Sequence, residues 1–143
     1  MIYLPIILEE FCEENDYFLL TETPNGSNIV LDKFLSSGKH YALYYNIIEE
    51  GNVGTADSGR IITMQRNVEI SLLTKDIKED EGKNYLPIIQ DLIARQMALF
   101  RYLLMRVDNI ISCTYSSGVD TNDACLAVCR LNLSFEDNYT TNC

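Results

Sequence analysis

Apolar residues recur every three or four positions between about Asn84 and Asp108: Leu86, Ile89, Leu92, Ile93, Met97, Phe100, Leu103, Leu104 and Val107. Before and after that stretch they recur every second position. The first period predicts one long amphipathic helix, because side chains three and four apart share a helix face. The second predicts strands, whose side chains alternate between two faces. Strand blocks on both sides of one long helix predict an α+β fold: an antiparallel or mixed sheet carrying the helix on one face.

A shorter helix is predicted over residues 3–15. Leu4, Ile7, Leu8 and Phe11 form its stripe, with Glu9, Glu10, Glu13 and Glu14 largely outside it. Pro5 fits its first turn, where a missing N–H costs no helical bond. Strands are predicted at 17–23 and 28–35, separated by the turn signal Pro24-Asn25-Gly26-Ser27. Two clearer strands follow. Tyr41, Leu43, Tyr45 and Ile47 share one face of the first, and Ile62, Met64, Val68, Ile70 and Leu72 one face of the second. Arg66 interrupts that row, which marks a bulge, a rim or an interface. Between them residues 49–60, with three glycines, predict a long mobile hairpin tip that is either plain surface or an arm that orders on a partner.

Residues 75–83 form a charged connection, Asn84 is placed to cap the long helix, and Pro87 falls in its first turn. A strand at 110–115, a turn at 116–123 and a final strand follow. Cys125, Ala127, Cys129, Leu131, Leu133 and Phe135 share one face of the last strand. Residues 136–143 predict a polar, loosely held tail. The 143 residues make one expected domain, 1–143, long enough to bury a core.

Charge changes the picture. Eleven Lys and Arg stand against 21 Asp and Glu, a net of −10. That surface repels phosphate backbones, so specific nucleic-acid binding is not expected, although DNA can slide past such a wall without sticking. No apolar run approaches the ~20 residues of a membrane-spanning helix. The opening MIYLPIILEEFCEEN lacks a basic region and a small-residue cleavage site, so no secretion signal is expected and the five cysteines read as reduced thiols.

Catalytic and metal chemistry find little support. Cys125 and Cys129 sit in one predicted strand, roughly 13 Å apart at ~3.3 Å per residue, too far to share a metal without a bend. His40 is the only histidine and opens a strand, so no Cys–His nucleophile is expected. Gly51-Asn52-Val53-Gly54 precedes a strand, so it lacks the helix N-terminus that holds a phosphate. No enzyme activity and no cofactor are expected. The remaining signals suit contacts between proteins: the hairpin residues Asn52, Val53, Thr55, Asp57 and Arg60, the row-breaking Arg66, Tyr44 on the opposite face from Tyr41 and Tyr45, and Arg95 and Arg101 off the helical stripe.

Three stretches carry a resemblance: the first helix, LPIILEEFCEEN; the strand IITMQRNVEISLLT after a Gly-rich hairpin; and the helix YLPIIQDLIARQMALFRYLL with the closing strand CLAVCRLNLSFED. Their order resembles the tail-terminator and tail-completion proteins found at the neck of tailed bacteriophages. The resemblance is one of architecture. It implies a structural subunit of a virion, assembled in the bacterial host cytoplasm, that forms a homo-oligomeric ring and meets other phage neck or tail proteins, with DNA free to pass through the lumen. The alternative expectation is a small dimeric ligand-binding or regulatory α+β module with a pocket lined by tyrosines.

Overall fold

In the computed structural model, residues 4–20, 33–48, 52–74, 86–120 and 126–140 are described. Their elements are α1 (Leu4–Asn15), β1 (Phe18–Leu20), β2 (Tyr41–Ile48), β3 (Val53–Ala56), β4 (Ile61–Thr74), α2 (Leu86–Leu104), β5 (Ile110–Asp120) and β6 (Leu126–Thr140). All the strands join one six-stranded sheet in the order β1-β2-β4-β6-β5, with β3 added to β4. Every pairing is antiparallel except β1 with β2. The α+β architecture expected from the two periods is therefore the observed one.

The core lies between the helices and one face of the sheet. Ile7, Leu8, Phe11 and Cys12 of α1 and Leu92, Leu99 and Leu103 of α2 pack on Leu43, Val68, Ile70, Leu72, Cys129, Leu131 and Leu133. α1 ends in a Schellman-type cap: Asp16 takes φ 58° and the Tyr17 N–H donates to the Cys12 carbonyl at 2.9 Å. That cap turns the chain into β1 and seats Tyr17 edge-on to Phe11, ring centroids 5.8 Å apart.

The helical stripe differs from the expected one. Leu86, Met97 and Leu104 are exposed, while Gln96 and Leu99 take central places. Gln96 is wholly buried, and its amide donates to the backbone carbonyls of Ile70 (3.0 Å) and Cys129 (2.7 Å). A polar side chain is tolerated there because the sheet offers it acceptors.

Other boundaries also shift. Residues 33–35, expected in a strand, form a helical turn with Ser36. Its Phe34 joins Leu20, Ala42, Leu73 and Val128 in a second, smaller core on the opposite face of the sheet. β5 runs through much of the expected turn at 116–123, and β6 runs through 136–140 of the expected tail. Of the hairpin tip expected at 49–60, residues 53–56 pair in register with β4, Ala56 opposite Ile61, leaving a turn at 57–60. Asp57, Ser58 and Gly59 all take positive φ there, and the Arg60 N–H closes the turn on the Asp57 carbonyl at 3.1 Å. Four strand residues flanked by glycine and turn formers carry too short a period to be read as a strand. The expected strand segments at 21–23 and 28–32, the charged connection at 75–83 and the cap Asn84 lie outside the described residues.

Candidate assembly surfaces

The sheet is longer than the helix layer that covers it. β4 spans 14 residues and pairs with β6 without a break from Ile61 opposite Thr140 to Thr74 opposite Ala127. Its second half, Val68 to Thr74, lies against the core. Its first half continues past the core as a three-stranded arm of β3, β4 and the end of β6.

A polar seam divides the two halves. Arg66 Nε lies 2.9 Å from Asp137 Oδ2, both side chains mostly sheltered. The contact is an ion pair rather than an aligned hydrogen bond, since neither atom has a hydrogen-bond partner. Asn109 donates its side-chain amide to the other oxygen of Asp137 at 2.8 Å, and its carbonyl accepts the Glu136 N–H at 2.9 Å. The connection after α2 is thereby fastened to β6 where the core stops. Arg66 interrupts the apolar row because it crosses this seam. The β4–β6 ladder runs unbroken through Arg66, opposite Phe135, so no bulge is involved on that side.

Past the seam, the side of the sheet that faces the helices in the body becomes apolar again. Val53 stands opposite Met64, and Ile62 lies between Thr55 and Tyr139. Val53 is 67%, Met64 37% and Tyr139 50% exposed. No described element covers them. The other face of the arm is mostly polar, with Thr63 donating to the Asn138 side-chain oxygen at 3.1 Å. An apolar face that no described element covers is the kind of surface that binds another protein.

Five of the nine residues singled out in the sequence, Asn52, Val53, Thr55, Asp57 and Arg60, come together on the β3–β4 hairpin of this arm. Arg66 stands at its base. The other three stand apart. Tyr44 is half-buried beside the second core, and burial followed by the nearby Glu69 carboxylate raises its pKa. Arg101 is exposed on α2 and makes no ion pair among the described residues.

Arg95 is held inside its own chain. Its Nε donates to Asp91 at 2.9 Å, another guanidinium nitrogen donates to the Tyr17 hydroxyl at 3.1 Å, and its guanidinium lies 4.0 Å from the Tyr41 ring centre. Tyr41 donates to the same Asp91 oxygen at 2.6 Å. Burial works against the charged form of Asp91, but the bonds from Tyr41 and Arg95 outweigh it and lower the carboxyl pKa. Burial and the bond to Asp91 raise that of Tyr41. The cluster ties the α1–β1 connection, β2 and α2 together, and its polar groups are spent on one another.

Met64, Tyr139 and Ile62 were not singled out in the sequence. Ile62 and Met64 matched a core row and Tyr139 fell in the expected polar tail, and only the lack of a described helix above them marks them as surface.

Chemistry elsewhere is sparse. Burial pushes the Cys12 thiol up to about 12, which keeps it protonated and unreactive at neutral pH. Burial also raises the thiols of Cys113 and Cys129. Among the described residues no three His, Cys, Asp or Glu side chains are grouped to hold a metal, and no described helix is long and apolar enough to cross a membrane. No family model matches the chain, and no curated protein does.

Proposed function

We propose that this chain is a non-enzymatic structural subunit of a phage-like particle, working by self-assembly into a ring at the head–tail junction or upper tail. The observation that carries this reading is the arm. It projects an apolar face, Val53, Ile62, Met64 and Tyr139, past the helix layer of its own subunit. A face of one copy that fits a different face of the next makes a heterologous contact, and such contacts close into rings when the rotation is a simple fraction of a turn. The arm meets the neighbouring subunit or an adjacent neck or tail protein. The net charge of −10 suits a lumen through which DNA passes without binding.

Light scattering on the purified protein, across concentration and salt, tests this. A discrete particle of about six or twelve copies is the expected result, since rings close at fixed copy number. A chain that stays monomeric, alone and when mixed with phage tail tubes or connectors, overturns it.

A further inference from the structure

A second feature points to a separate contact that does not rest on the ring reading. β5 ends the sheet on the side away from β1, and no described strand pairs with its outer edge. It spans 11 residues, against three for β1 and four for β3, the strands at the opposite margin. Ser112, Thr114, Tyr115, Ser116, Ser117 and Gly118 are all exposed. An edge strand with unpaired N–H and C=O groups is a template for another strand, and proteins usually blunt such edges with charge, proline or brevity.

Short of its last residue, Asp120, β5 has none of these protections. Residues 109–119, between Asp108 and Asp120, contain no Asp, Glu, Lys, Arg or Pro and form the longest stretch of the chain free of charged residues. The one irregularity, a register shift between Ile110 and Ser112, lies at the start of the strand and leaves 112–120 regular.

Charge identifies the occupant. Copies carrying −10 each repel one another, so two copies meet best along a seam that carries no charge. A basic partner would draw its binding energy from the acidic surfaces instead. We infer that the β5 edge is the contact for a second copy of this chain, the two β5 strands pairing antiparallel about a two-fold axis at Tyr115.

In that register Tyr115 faces the Tyr115 of the other copy. Cys113 stands opposite Ser117 on the side that faces the helices, and Thr114 stands opposite Ser116 on the other. Aromatic pairs and Thr–Ser pairs are favourable cross-strand neighbours. Asp108 and Asp120 fall outside the seven-residue ladder 112–118, so no carboxylates meet within it. The contact is isologous, the same patch on both subunits, and it leaves the arm free.

The register makes a sharp test possible. Within one chain, residues 113 and 117 are four apart along a strand, roughly 13 Å at ~3.3 Å per residue, too far for a disulfide. Across the two-fold axis they are directly opposed. Because Ser117 also stands opposite Cys129 within the chain, Ser117→Cys is made in a Cys125→Ser, Cys129→Ala, Cys143→Ser background, treated with a mild thiol oxidant and run on a non-reducing gel. A covalent dimer that disappears when Cys113→Ser is added is the expected result, and its absence from the Ser117→Cys protein overturns the inference. Tyr115→Asp places two carboxylates face to face at the axis, so the solution mass is expected to fall by half with circular dichroism unchanged. A mass that does not fall also overturns it. A β5 contact that fails while the arm still builds rings counts against this inference alone. Loss of rings in arm variants that keep the Ser117→Cys dimer separates the two contacts in the opposite direction.

Discussion

The two halves of β4 share a strand, a register and an alternating pattern, yet they live in different surroundings. From Val68 to Leu72 the apolar side is fully covered by α1 and α2. From Ile62 to Met64 the same side of the same strand has no described cover. Alternation therefore states which side of a strand is apolar. It does not state what lies against that side. In the body the cover comes from α1 and α2, and in the arm no described element supplies one.

Substitutions sharpen the contrast, beginning with the largest expected effect. Leu99→Ala in the body deletes a wholly buried side chain and is expected to cost about 2–5 kcal/mol in chemical denaturation, as large-to-small core changes do. At the seam, Arg66→Ala strips Asp137 of its cation while leaving the Asn109 bond, and about 1–2 kcal/mol is expected. Asp91→Asn weakens the Tyr41 and Arg95 contacts of a cluster that is more than a third exposed, so screening holds the expected loss to about 1 kcal/mol or less. Val53→Glu with Met64→Glu in the arm is expected to move folding stability least, within about 0.5 kcal/mol per site, as exposed substitutions do. An arm pair as costly as Leu99→Ala would mean that the arm face is covered within its own chain.

pH gives an independent mark of the body. The Cys12 thiol, raised by burial from its ordinary 9.0 to about 12, stays protonated in the folded chain where the unfolded chain ionises. Its contribution to stability is whole below pH 9 and is lost as the pH climbs towards about 12. Tyr41, also raised, adds a loss of the same sign starting above its ordinary 10.0. Cys12→Ala is expected to flatten the first part of this alkaline decline, read as the denaturation midpoint against pH. An unchanged slope would contradict the burial of that thiol.

Much of the body was legible because its periods are long and its elements amphipathic. α2 was placed within a few residues, as was the core row Val68, Ile70 and Leu72. Gln96 was not legible. A glutamine inside an apolar stripe reads as surface, and the carbonyls that accept its protons lie 26 and 33 residues away in sequence. The end of β6 and the second part of β5, residues 116–120, were missed for a related reason. Strands exposed on both faces are written in Ser, Thr, Asn and Gly, the same letters as turns.

The hairpin residues Asn52, Val53, Thr55, Asp57 and Arg60 were singled out through glycine content, and four of them lie on or beside a strand paired to β4. The bonds of Arg95 within its own chain were not legible because its partners, Asp91 aside, come from distant elements.

The most direct test of the arm as an assembly device compares the solution mass of the wild-type protein with that of the Val53→Glu, Met64→Glu variant at matched concentration and salt. The expected result is a ring-sized particle for the wild type, and for the variant a folded species no larger than the two copies that β5 can join. A variant that assembles as the wild type does would show that the uncovered face of the arm is not what holds the copies together.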